Sequence, residues 1–135
     1  MNSPYMGNFK VTQEYKGATH DGLDLVGQDS KNIHSTVNGV VEYASWENSA
    51  NHSQGFGQYV KIIDDVTGYG FYFGHLSSIK VKVGDRVKIT DVIGVEGSTG
   101  NSTGSHLHYQ VSEGWNEGTQ NPANYGNFQN VEGVQ

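Results

Sequence analysis

The stretch GSTGNSTGSHLHYQV, residues 97–111, places two imidazoles, His106 and His108, one residue apart behind a run made only of Gly, Ser, Thr and Asn. On an extended strand, residues i and i+2 share a face, with attachment points roughly 6–7 Å apart. His106, His108 and Gln110 then point one way, while Leu107, Tyr109 and Val111 point the other way, toward a core. That spacing suits two rings flanking one ion or one substrate. A lone His-x-His pair is more often surface decoration, so its weight depends on what the rest of the chain offers. THDGLDLVG, residues 19–27, adds His20 and Asp24, which in an extended segment also share a face. FYFGHLSS, residues 71–78, carries His75 at the end of another apolar strand. Two imidazoles and one carboxylate are a donor set that zinc favours, and three protein ligands leave a fourth position for water, the mark of a catalytic site. The chain has no His-Glu-x-x-His helix, which removes the glutamate base of that motif.

The elements that must position these groups are strands. Nineteen glycines, two prolines and many Val, Ile, Tyr and Phe residues read as short strands joined by tight turns. No stretch sustains a helical period. VNGVVEYAS alternates with Val37, Gly39, Val41 and Tyr43 on one side, QYVKIID follows, and KVKVGDRVKITDVIGVEG reads as three short extended pieces around turns. The expectation is one all-β, mostly antiparallel domain over residues 9–125. Its core is a compact two-sheet, sandwich-like packing with a groove over the central sheet and long loops beside it. Residues 1–8 read as an N-terminal tail, and 126–135 as a C-terminal tail or the start of a linker.

Composition excludes several roles. The chain of 135 residues has no cysteine, so disulfides, thiolate metal sites and cysteine nucleophiles are ruled out. A net charge of −6 with scattered basic residues disfavours nucleic acid. No apolar run approaches the length of a membrane span, and the first ten residues lack the charged and apolar regions of a signal peptide.

HDGLD, GHLSS and GSTGNSTGSHLH, in that order, resemble the signature of the lysostaphin-like (LytM-type) zinc metallopeptidases, which cut peptidoglycan peptides. The similarity extends over roughly residues 9–125 and includes VNGVVEYASW, GFGQYVKI, VKVGDRVK, VIGVEGSTG and NPANY. The resemblance implies His20, Asp24 and His108 as ligands of one zinc ion, with His75 and His106 as unliganded catalytic histidines. It implies that His106 accepts the proton of an attacking water and that His75 stabilises the developing oxyanion, with exchange of those two roles left open. Tyr15 is a further hydrogen-bond donor in principle, with a plain packing role the better expectation. The chain departs from the family pattern at Phe73, where Tyr is common, at Ser105, where Pro is usual, and at Thr90, where Gly is usual.

The implied function is a zinc-dependent endopeptidase acting on peptidoglycan stem or cross-bridge peptides at the bacterial cell wall. The alternative is a catalytically silent domain of the same family that regulates another cell-wall hydrolase. A lipoyl- or biotin-carrier module, which the region around VKVGDRVK also resembles, needs a lysine at an exposed hairpin tip, whereas the lysines here lie before or within strands, and a carrier leaves five site residues unexplained. A monomer is expected, joined to a separate wall-binding module, because an acidic domain gains no electrostatic capture by anionic wall polymers. With no leader visible, a phage endolysin domain released at lysis, or a domain excised from a secreted enzyme, fits the sequence. His34 and His52 are expected to have no part in the chemistry, although the polar loop that carries Trp46 and His52 is placed to border the groove.

Overall fold

The computed structural model describes residues 3–17, 19–114, 117–125 and 131–133. Its strands are β1 (Phe9–Gln13), β2 (Leu23–Gly27), β3 (Asn32–His34), β4 (Gly39–Trp46), β5 (Gln58–Asp64), β6 (Gly70–Ile79), β7 (Arg86–Val87), β8 (Val92–Glu96), β9 (Leu107–Gly114), β10 (Glu117–Gln120) and β11 (Val131–Gly133). A short 3-10 turn, Pro122–Tyr125, precedes β11, and no α-helix occurs among the described residues. The fold is therefore all-β. Among the described residues, every strand pairing is antiparallel except that of β1 with β11.

Instead of two separate sheets, hydrogen bonding joins the strands into one, in the order β11-β1-β2-β9-β6-β5-β4-β7. The long β6 makes this possible by changing partner along one edge. Gly70 to Gly74 pair with β9, and Leu76 to Ile79 pair with β8, which in turn carries β3. His75 sits between the two registers. Residues 80–82, expected as extended, lie outside any strand, and the turn expected at Gly84-Asp85 follows them, with Lys82 N donating to the Asp85 carboxylate at 3.0 Å.

Period-2 alternation decides which side chains face the site. In β2, Leu23, Leu25 and Gly27 are buried toward the core, which leaves Asp24 on the opposite face. In β9, Leu107, Tyr109 and Val111 join the core with Phe71, Phe73, Ile62 and Leu25. Burying each such aliphatic or phenyl side chain is worth about 1.5–3 kcal/mol. The other face of β9 carries a buried polar row, His108, Gln110 and Ser112, whose side chains bond one another in series.

The segment expected as an N-terminal tail is anchored before β1 begins. Tyr5 is buried and stacks on Phe9 at 5.4 Å between ring centres, and Pro4 O accepts from His34 N at 2.8 Å. An amphipathic tyrosine explains this, since its ring enters the core while its hydroxyl reaches the buried Glu96 carboxylate. Of the expected C-terminal tail, residues 126–130 and 134–135 lie outside the described residues, and 131–133 pair in parallel with β1.

Candidate metal centre and catalytic site

The register of three strands assembles the site. Asp24 in β2 is the direct cross-strand partner of His108 in β9, and Gly74 in β6 is its partner on the other edge. His20 arrives from the turn before β2, held by a bridge to Gly17. One nitrogen of each of His20 and His108 and one oxygen of Asp24 all lie within 4.8 Å of one another. His20 Nε2 is 3.3 Å from Asp24 Oδ1, and His108 Nδ1 is 3.1 Å from the same oxygen. Donors about 2.0–2.1 Å from a tetrahedral zinc ion stand roughly 3.3 Å apart, so this set fits one ion.

The remaining ring nitrogens fix how each imidazole is presented. His20 Nδ1 is 2.9 Å from Glu14 O, and a carbonyl only accepts, so that nitrogen carries the proton and Nε2 offers its lone pair. His108 is reversed. Its Nε2 lies 2.9 Å from Gln110 Oε1, leaving Nδ1 directed at Asp24. Gln110 is held in that orientation by donating from Nε2 to Ser112 Oγ at 2.9 Å. Outer partners of this kind set tautomer and ring orientation at metal sites.

The glycine in HDGLD has a steric reason. A Cβ at Gly22 would lie 2.6 Å from Tyr109 O and 2.8 Å from His108 Nε2, so any side chain there displaces the ring.

His75 and His106 form a second pair, with ring centres 4.6 Å apart. His75 Nδ1 donates to Thr99 O at 2.7 Å, and His106 Nδ1 donates to Gly104 O at 2.9 Å. In their neutral forms both rings therefore present an Nε2 lone pair, and that of His106 is 3.7 Å from Asp24 Oδ1. His75 adopts a left-handed backbone, φ 65, and its amide donates to Phe56 O at 2.7 Å. For a residue with a Cβ such a conformation costs of order 1–3 kcal/mol, and it occurs here at the point where β6 changes partner.

The electrostatics differ sharply among these groups. Burial pushes His75 down to about 4, against a smaller upward pull from its bond to Thr99. Burial would also lower His108, but its hydrogen bonds with Asp21, Asp24 and Gln110 outweigh that and hold it up at about 9. Burial alone would raise Asp24, and the hydrogen bond and charge of His108 overcome it and keep the carboxylate ionised. Asp21, beside His108, is likewise held low by that ring.

A cavity of about 280 Å³ opens on this face, lined by Asp21, Glu47, Phe56, His75, Asn101 and His108 among others. Its walls are the loops 47–57 and 97–105, which are cross-linked by Gly100 N to His52 O at 2.9 Å and Asn101 N to Gly55 O at 2.8 Å.

The structure thus brings together all five side chains picked out in the sequence. Tyr15 stands apart from that chemistry, its hydroxyl bonded to Thr119 O at 3.0 Å. His34 Nδ1 donates to Thr90 O at 2.8 Å, a purely structural bond. His52 stacks on Trp46 at 3.6 Å between ring centres. Sequence reasoning missed Asp21, Glu96 and the carbonyls of Glu14, Thr99 and Gly104. Gln110 was placed on the right face by strand period, but its grip on His108 was not foreseen.

A model of Peptidase family M23 matches residues 18–122. The chain belongs to peptidase family M23. Within the family it is 31% identical over 116 residues to the glycyl-glycine endopeptidase ALE-1 of Staphylococcus capitis, covering 81% of this chain and 31% of that protein. It is 40% identical over 100 residues to the peptidoglycan DD-endopeptidase ShyC of Vibrio cholerae, covering 74% of this chain and 21% of that protein. The catalytic domain of the prophage-encoded M23 protein EnpA from Enterococcus faecalis superimposes with a TM-score of 0.74 at 31% identity, covering 93% of this chain and 98% of that one. The chain thus spans less than a third of the length of these two full-length relatives.

Proposed function

We propose that this chain is the catalytic domain of a zinc endopeptidase that hydrolyses peptide bonds in bacterial peptidoglycan, acting at the cell wall. The observation that carries the reading is the convergence of His20, Asp24 and His108, whose donor atoms lie within 4.8 Å of one another, beside two imidazoles whose Nε2 lone pairs are uncommitted to backbone. His20, Asp24 and His108 would hold the ion. Bound there, zinc supplies Lewis-acid activation of water and of the scissile carbonyl.

The chain's own groups do the rest. His106 Nε2 accepts the proton of the attacking water and returns it to the leaving amine. The imidazolium formed in between lies 3.7 Å from the Asp24 carboxylate. His75 takes a different part from the one first expected. Donation to an oxyanion needs a proton on Nε2, but the Thr99 bond places the neutral ring's proton on Nδ1, and burial opposes a second proton. His75 Nε2 therefore acts as an acceptor that orients the water or a substrate N–H.

Peptidoglycan as substrate is supported by relatives whose names specify glycyl-glycine or peptidoglycan DD-endopeptidase activity. A silent regulatory role has nothing to favour it, since none of the five side chains is replaced. The test is digestion of purified walls by the zinc-loaded chain, using one wall with glycine cross-bridges and one with direct cross-links. New amino ends are expected from at least one wall, with none from the His106→Ala variant. Absence of new amines from both walls at full zinc occupancy would refute the reading.

A further inference from the structure

The loop 97–105 holds both catalytic histidines by their Nδ1 protons, but the two anchors are built differently. Thr99, whose carbonyl takes His75, is itself tied down: its Oγ1 donates to Leu76 O at 2.8 Å and accepts from Gln58 N at 3.1 Å. The half that holds His106 has fewer ties. Gly104, whose carbonyl takes His106, has no atom within 4 Å of where its Cβ would be. Ser102 Oγ, 3.2 Å from His106 Nδ1, bonds within the same turn to Gly104 O and Ser98 Oγ. His106 pairs with the sheet through a bridge to Gly97.

At the neck of this loop sits Glu96, whose side chain is fully enclosed although the residue ends an apolar strand. Its Oε1 accepts from Tyr5 Oη at 2.5 Å and Gly27 N at 2.9 Å. Its Oε2 accepts from Lys31 Nζ at 3.1 Å and from Ser105 Oγ at 2.6 Å. A buried carboxylate accepting four donors is a rigid anchor, since charge-assisted bonds are shorter and stronger than neutral ones. Three of its donors belong to the scaffold. The fourth, Ser105, directly precedes His106.

We propose that the Glu96–Ser105 hydrogen bond is a positioning staple for the proposed reaction, closing the neck of the loop and fixing the ring of His106 while leaving that of His75 unaffected. The proposal rests on the catalytic reading of His106. Catalytic groups displaced by about 1 Å lose up to about 100-fold in rate, and removing an outer partner at such sites loses about 10–100-fold. Ser105 is the position to change, because it is exposed and its loss leaves the other three partners of Glu96 in place.

The experiment compares the zinc-loaded full chain with its Ser105→Ala and Ser105→Thr variants. It measures kcat and KM on wall peptide, zinc content, and long-range 1H–15N NMR signals of the histidine rings. Ser105→Ala is expected to lower kcat roughly tenfold with KM and zinc unchanged. It is also expected to broaden or split the His106 ring signal while that of His75 stays put. Ser105→Thr, which keeps the hydroxyl, is expected to restore both. A wild-type kcat in Ser105→Ala, or an unaltered His106 ring signal, would overturn the proposal. If the unsubstituted chain cleaves no wall peptide, the functional reading falls by itself, and the ring signals then decide the staple.

Discussion

His75 and His108 are the same side chain in nearly the same degree of burial, 6% and 7% exposed, with ring centres 6.1 Å apart. Their proton affinities move in opposite directions. His75 has a backbone carbonyl for its Nδ1 and other imidazoles for neighbours, so burial wins and the ring is pushed down to about 4. His108 has Asp24 at one nitrogen and Gln110 and Asp21 at the other, so hydrogen bonding wins and the ring is held up at about 9. Burial sets no sign alone; the partners at each ring nitrogen do. In functional terms, the lone pair that competes for positive charge is the one aimed at the carboxylate, and the one that stays neutral is aimed at the cavity.

The largest effects come from removing the rings. His108→Ala is expected to abolish both zinc binding and turnover. His75→Ala is expected to retain zinc while kcat falls up to about 10²-fold, the scale of lost positioning of the reacting groups. Metal analysis alongside wall digestion checks both. Next comes the partner that separates the two rings. Gln110→Leu removes the acceptor at His108 Nε2 and is expected to weaken zinc binding about 10–100-fold, measured by chelator competition.

The pH dependence sharpens the comparison further. A cation must displace the proton from His108 Nδ1, so zinc affinity is expected to fall about tenfold per pH unit from 9 down to 7. In the metal-free chain the two rings act on stability with opposite sign. His75 is depressed from 6.5 to about 4, so the unfolded chain binds more protons in that window, and stability falls as pH drops through it. His108 is raised from 6.5 to about 9, so its contribution is complete below 6.5 and is lost as pH rises toward 9. Each limb is worth at most about 3 kcal/mol. Urea midpoints at pH 5, 6.5 and 8.5 are expected to peak at the middle value, with the acid limb shallower in His75→Ala and the alkaline limb lost in His108→Ala.

The smallest effect concerns backbone strain. His75 and Thr90 are the non-glycine residues with positive φ, 65 and 81, among those described. Strain at His75 aims a ring into the site, whereas Thr90 serves a turn through its backbone, with N donating to Ser35 O at 2.9 Å. Thr90→Gly is expected to raise stability by about 1 kcal/mol without changing kcat, read from thermal unfolding.

Much of this was legible in the sequence, for physical reasons. Strand period placed Asp24 away from Leu23 and Leu25, and His108 away from Leu107 and Tyr109. Residue type narrowed the chemistry to a nitrogen and oxygen metal site. The resemblance singled out the same five positions that the strand register draws together. What was hidden depends on long-range register. Nothing local marks Glu96 as the partner of Tyr5 and Ser105, because those contacts span 91 and 9 residues. The anchoring of the N-terminal segment was missed for the same reason. The continuity of the sheet was missed because it turns on one residue, His75, where β6 exchanges β9 for β8. The tautomers of His75 and His106 depend on carbonyls that no side-chain pattern reveals.

Under the proposed function, His20, Asp24 and His108 together hold one zinc ion that His75 and His106 do not touch. Metal analysis of the exhaustively dialysed chain and its five single alanine variants tests it directly. One zinc per chain is expected in the unsubstituted protein and in His75→Ala and His106→Ala, and none in His20→Ala, Asp24→Ala or His108→Ala. Full zinc in any of the last three, or its loss from either of the first two while the fold is intact, would contradict it.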